Sequence, residues 1–139
     1  MGRIPADLRR QVIERARGHC EYCQTQQIIV VSIEIDHIIP KSAGGKTVLD
    51  NLCLACVGCN GSKLNFQVGI DPETEMETPL FNPRVQNWND HFRWSEDSSQ
   101  VVGLTAIGRA TIVRLRMNRD RVVHSRQRWV EAGWHPPKA

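Results

Sequence analysis

Two Cys-x-x-Cys turns, Cys20–Cys23 and Cys56–Cys59, stand 32 residues apart and constrain this chain more than any other feature. Such a turn aims two sulfurs at one point, and zinc takes four soft ligands in a tetrahedron at about 2.3 Å. Together the two turns close one shell and tie residue 20 to residue 59 whatever the hydrophobic core does. A shell of four thiolates leaves no position open for water or substrate, so a metal held there is structural. Two buried thiol pairs, or redox dithiols, are the alternative reading of the same residues. Cys53, the fifth cysteine, reads as a buried apolar residue. His19, beside Cys20, has the chemistry of a substitute ligand but reads as a surface residue.

The compartment matters to that reading. The first residues, Met1 to Asp7, turn polar at once and contain no signal-peptide apolar stretch. No apolar run approaches the roughly 20 residues needed to cross a bilayer. The expectation is a cytoplasmic protein with no membrane partner, in a reducing environment where thiols stay free for metal. A length of 139 residues, an apolar share of 40% and four tryptophans are enough for one folded domain with a real core. The net charge of +3 is unevenly spread. From Gly103 onward eight Lys/Arg face two Asp/Glu, whereas residues 65–102 hold two Arg against seven acids. A basic C-terminal third suits a polyanion, and plain solubility accounts for it equally well.

Residue patterns predict mixed elements. Pro5 to Arg17 reads as a helix with Leu8, Val12 and Ala16 in one stripe, stopped by Gly18. Ile28 to Ile39, rich in Ile and Val, reads as one or two strands. A short helix runs from Cys59 to about Phe66, and Asp71 to Glu77 reads as an acidic, solvated connection. His91 to Val102 reads as a hairpin turning at Glu96–Ser99. Thr105 caps a helix with Leu104, Gly108, Thr111 and Leu115 on one face and Arg109 and Arg116 on the other. Asn118 caps a last helix whose inward residues are Val122, Val123, Arg126, Trp129 and Val130. No βαβ rhythm appears, so the class is α+β. The expected division is residues 1–66 as a core and residues 67–139 as a hairpin-and-helices extension packed on it.

The stretch enclosed by the cysteines carries the chemistry. Asp36-His37 ends the apolar run Ile33-Glu34-Ile35, and Gly44-Gly45, Asn51-Leu52, Asn60 and Lys63 follow. Adjacent residues of a regular strand point to opposite faces, so Asp36 and His37 serve one site only if the backbone bends there. Phosphodiester hydrolysis needs a base for water, a cation at the phosphate, and a rigid frame. His37 offers the base and the oxygens of Asp36 and Asn60 suit Mg²⁺, while the zinc shell offers the frame. A packed histidine and a structural carboxylate are the bland reading of the same pair.

Cys20-x-x-Cys23, Ile35-Asp36-His37-Ile38-Ile39-Pro40, Gly44-Gly45, Asn51-Leu52 and Cys56-x-x-Cys59-Asn60-x-x-Lys63 together resemble the HNH endonuclease family, across roughly residues 3 to 66. The resemblance implies a ββα-metal fold, a hairpin and helix around one divalent cation, Mg²⁺ or Mn²⁺. It implies His37 as general base, Asp36 and Asn60 as cation ligands, and Asn51 as the residue that fixes the loop and the imidazole. The third letter of the family name is Asn60 here instead of His, which gives the cation a neutral oxygen. DNA is the implied substrate, with a 5′-phosphate and a 3′-hydroxyl as products. Lys63 and Lys41, beside Lys46, are candidates to hold a phosphate, as are Arg109 and Arg116 among the helical arginines. Trp88, Phe92 and Trp94 read as core, and His91 as a packed histidine. The rival function is a non-catalytic zinc-ribbon module that binds nucleic acid.

Overall fold

The computed structural model describes residues 4–27 and 33–138. Helix α1 spans Ala6–Arg15, with Pro5 at its N-cap (φ −55°), Asp7 in its first turn and Arg15 in its last. Those charges complement the helix dipole at each end. Its inward residue Val12 is buried with Ile33, Leu52 and Leu54, and Leu8 and Ala16 pack beside them. The Arg15 guanidinium donates to the carbonyls of Leu49 (2.9 Å) and Leu52 (2.5 Å), which pins the end of the helix to the next hairpin.

Strand β1, Ile33–His37, pairs antiparallel with β2, Leu52–Cys56, in a register that sets Ile33 opposite Cys56 and His37 opposite Leu52. The first part of the expected strand, residues 28–32, lies outside the described residues. Every residue of β2 is buried, because α1 covers one of its faces and the cysteine-rich core covers the other. Helix α2, Val57–Lys63, starts where β2 ends, and its cap is Cys56, whose sulfur accepts from the amide of Cys59 at 3.4 Å. A hairpin followed directly by a helix is thus built on residues 33–63.

Two further hairpins and three helices follow. β3 (Val68–Ile70) pairs with β4 (Glu77–Pro79); α3 (Trp88–His91) leads into β5 (Phe92–Trp94), which pairs with β6 (Val101–Gly103). α4 (Ala106–Leu115) is capped by Thr105, whose hydroxyl accepts from Gly108 N at 3.1 Å, and α5 spans Asp120–Glu131. The class is mixed α+β with small antiparallel sheets. Tyr22 and the cysteines share one buried cluster with Leu80, Phe81, Phe92, Leu115 and Met117. Trp88 and Trp94 pack against that cluster, and the Trp88 indole donates to the carbonyl of Tyr22 at 2.7 Å.

Several expectations fail for identifiable reasons. Asp71 is fully buried, not solvated, because its carboxylate is gripped by Arg109 (Nε 2.8 Å, Nη2 3.0 Å) and by Thr74 (2.9 Å). Leu104 is exposed because it precedes the cap Thr105 and lies outside α4, and Val130 is exposed near the end of α5. Asn118 does not cap α5. Arg119 holds that position, and the Asn118 amide instead closes on Val101 through its backbone N and O, each at 2.8 Å.

Candidate catalytic cleft and four-cysteine shell

The four sulfurs of Cys20, Cys23, Cys56 and Cys59 all lie within 4.8 Å of one another, and every one of these residues is buried. Cys23 Sγ and Cys56 Sγ are 3.6 Å apart. A zinc tetrahedron with bonds of about 2.3 Å has edges of about 3.8 Å, so the spacing fits that ion. Each turn also points an amide at its own first sulfur, Cys23 N at Cys20 and Cys59 N at Cys56, both at 3.4 Å, as thiolate ligands require. Thr25 Oγ1 reaches Cys23 Sγ at 3.1 Å. Four thiolates buried this close together can coexist only with a cation to compensate them. Part of the compensation is protein. Arg126 of α5 is fully buried, with Cys23 and Cys59 acting electrostatically on its guanidinium, and it donates to the carbonyls of Ser99 (3.1 Å) and Met117 (2.7 Å).

At the other end of β1, Asp36, His37, Lys41 and Asn60 line an open cleft of about 440 Å³. His37 Nε2 lies 2.9 Å from the hydroxyl of Thr47. If the ring donates there, the other nitrogen, Nδ1, is left with a lone pair. Burial, followed by the charge of Lys41, lowers the His37 pKa from its ordinary value and favours the neutral ring. The loop that carries Lys41 and Thr47 is stapled by Asn51. Its amide oxygen accepts from Ile39 N (2.9 Å), and its NH₂ donates to the carbonyls of Ile39 (2.9 Å) and Lys46 (3.0 Å). Gly45 is required under the same staple, because a Cβ there would sit 1.7 Å from the Ile39 carbonyl oxygen.

Asp36 lines the cleft but is anchored from behind. It is 5% exposed, its Oδ2 accepts from the Tyr22 hydroxyl at 2.8 Å, and Lys63 Nζ stands 3.1 Å from the same oxygen. Lys63 is therefore a correction to the sequence reading. At 2% exposure its ammonium is spent on Asp36 and on the carbonyls of His37 (3.4 Å) and Ile38 (3.3 Å), and it has no face toward a phosphate. Arg109 is a second correction, since both arms of its guanidinium are engaged by Asp71 and its Nε lies 3.2 Å from Glu73. Lys41 is exposed at the rim of the cleft, and Arg116 is exposed at the C-terminal cap of α4. Asn60 sits in the cleft with its NH₂ donating to Glu34 at 2.7 Å, which leaves its amide oxygen uncommitted.

Four contributors escaped the sequence reading. Tyr22 and Thr47 touch Asp36 and His37, Glu34 orients Asn60, and Arg126 faces the sulfurs. Tyr22 lay in view between the first two cysteines. Thr47 carried no signal, because nothing local tells a loop threonine from one that holds an imidazole ten residues away.

Residues 20–66 match the family model described as HNH endonuclease. No curated protein and no solved structure matches the chain. The matched segment runs from the first cysteine to three residues past Lys63. Residues 20–66 are thus an HNH endonuclease domain, a ββα unit braced by a buried four-cysteine shell.

Proposed function

We propose that this chain is an endonuclease that hydrolyses DNA phosphodiester bonds in the cleft between β1 and α2, with zinc in the four-cysteine shell. The observation that carries this reading is the cleft itself. A histidine held at one nitrogen by Thr47 shares a water-accessible space with a carboxylate and an uncommitted amide oxygen, inside a segment that matches a nuclease family.

The chain's own groups divide the work. Neutral His37 takes a proton from water at Nδ1 while Thr47 accepts from Nε2–H and keeps the tautomer. The water oxygen forms its bond to phosphorus as the bond to the 3′-oxygen breaks, and that oxygen takes a proton from solvent water in the open cleft, leaving a 5′-phosphate and a 3′-hydroxyl. Asp36 and Asn60 would hold Mg²⁺ or Mn²⁺, which when bound supplies positive charge at the phosphate and the leaving oxygen. Lys63 cancels the charge of Asp36, so cation affinity at this pair should be weak. Asn51 keeps the loop, and with it Thr47, in register. Lys41 stands where it can meet a phosphate at the rim.

The buried Asp36–Lys63 pair favours one competing reading, a zinc module that binds nucleic acid without cutting it, in which Asp36 is purely structural. Supercoiled plasmid incubated with the protein in Mg²⁺ or Mn²⁺, with an EDTA control and a His37→Ala variant, separates the two. Cation-dependent cutting that vanishes in the variant is expected. Intact plasmid throughout, with retained binding, assigns the module reading.

A further inference from the structure

The chain breaks its own backbone preferences at the edge of the cleft. Leu64, the residue after α2, has φ 50° and ψ −129°, a region that a branched side chain rarely occupies. Strain of this sort persists where the surrounding structure imposes it, commonly at functional sites. The strain also leaves Leu64 pointing at solvent, with 63% exposure. Leu64 and Gly61 are shared between the cleft of Asp36, His37 and Asn60 and an adjoining groove of about 510 Å³. The floor of that groove is apolar. Phe66 is 41% exposed, and Ile70 and Val113 are exposed beside it. Four apolar side chains, Leu64, Phe66, Ile70 and Val113, thus stand exposed along one groove.

The same groove is basic. Arg114 and Arg116 line it and no acidic residue does. The Arg114 guanidinium lies 3.8 Å from the centre of the Phe66 ring, and its Nε has no hydrogen-bond partner. Neither arginine forms an ion pair among the described residues, in contrast to Arg109 on the same helix. Apolar floor, an arginine stacked on an aromatic ring, and uncompensated positive charge are the combination that holds an unstacked base together with its phosphates.

Resting on the nuclease reading above, we propose that this groove receives an unstacked base next to the phosphate in the cleft, and that the enzyme prefers DNA with a bulged or unpaired nucleotide there. The strained Leu64 side chain fills the gap the base leaves in the stack, and Phe66 with Arg114 takes up the base. Unstacking costs most in a perfect duplex and least at a bulge, so the groove rewards distorted substrates.

The test uses two DNA duplexes of one sequence, fully paired or with a single-nucleotide 2-aminopurine bulge. Cleavage is read in Mn²⁺, and 2-aminopurine fluorescence is read on binding in Ca²⁺, with wild type, Leu64→Ala and Phe66→Ala. We expect the bulged duplex to be cut at least about tenfold faster, its fluorescence to change on binding, and both effects to disappear in the variants. The rate on paired DNA should survive in Phe66→Ala, whose side chain lines the groove and not the cleft. Equal rates on the two duplexes with unchanged fluorescence overturn the proposal while leaving the nuclease reading intact. A fluorescence change lost in the variants, with no cleavage of either duplex, supports the groove and overturns the nuclease reading. A variant that fails to fold is replaced by Leu64→Met, which keeps the bulk and must keep the preference. If the groove instead joins two copies of the chain, the variants shift the mass by sedimentation and leave the fluorescence response in place, which also overturns the proposal.

Discussion

The four-cysteine shell and the candidate cleft of His37 lie at opposite ends of the same short hairpin and obey opposite rules. In the shell every sulfur is buried, each Cys-x-x-Cys turn satisfies one sulfur with its own amide, and the fully buried Arg126 backs the charge. Nothing there is left to react. In the cleft, among the described residues, one His37 ring nitrogen and the Asn60 amide oxygen have no protein partner, and Lys41 is exposed to solvent. A domain this small spends its rigidity at one end so that polar groups at the other can stay unsatisfied. The difference teaches that loss of the shell should destroy the fold, whereas loss of a half-buried cleft residue such as His37 should destroy only chemistry.

Removing the shell is the harshest way to break that comparison. Cys59→Ser, or prolonged chelation of the wild type, should abolish cooperative unfolding, because structural zinc contributes folding free energy outright. Circular dichroism melts alongside metal analysis of the purified protein check this, and a zinc-free protein with an unchanged melt would dissolve the distinction. Next in size, His37→Ala should cut plasmid roughly 10²- to 10⁴-fold more slowly, the usual range for a lost general base. Its zinc content, circular dichroism and DNA affinity should match wild type.

A finer cut lies at Thr47. Thr47→Val keeps the shape but removes the hydroxyl at Nε2, and about tenfold should be lost in rate, with Thr47→Ser restoring it. The pH profile sharpens the same point. Burial and Lys41 lower the His37 pKa, and only the neutral ring accepts a proton. The wild-type rate should therefore rise with pH through a midpoint below the ordinary imidazole value of about 6.5. Thr47→Val should move that midpoint, which a merely structural threonine would not do.

The smallest effects separate two arginines about two helical turns apart, one on α4 and one at its C-terminal cap. Arg116→Ala should lower the salt dependence of DNA binding by about one unit of slope for a lost phosphate contact. Arg109→Ala should leave the slope alone and act on stability instead. Arg109 holds the Asp71 carboxyl well below the usual carboxylate range. A folded-state pKa depressed in this way stabilises the protein above the unfolded value of about 3.9 and is lost as pH falls through the folded one. The variant should therefore melt lower at neutral pH and lose less than wild type on acidification. Equal salt slopes for the two variants would falsify the division.

Much of this molecule was legible in the residues. Cysteine spacing dictates the shell, because two sulfurs three residues apart can meet one ion almost regardless of context. Asn51 was readable as a loop brace only through the resemblance to the HNH family, because it closes on Ile39 twelve residues away. Thr105 was readable as a helix cap, and local rules fixed the cap and the cysteine turns because the interacting atoms are close in sequence. Lys63 and Arg109 were misjudged for the opposite reason. A long cation reads as solvent-facing until a buried carboxylate is brought to it from a distant segment, Asp36 in one case and Asp71 in the other. Only the tertiary structure sets Thr47 against His37, turns Arg126 toward the sulfurs, and presses the strained Leu64 out beside the cleft. Each depends on elements far apart in the chain meeting in a dense interior, where position is decided by packing and charge together and no single stretch of sequence holds the answer.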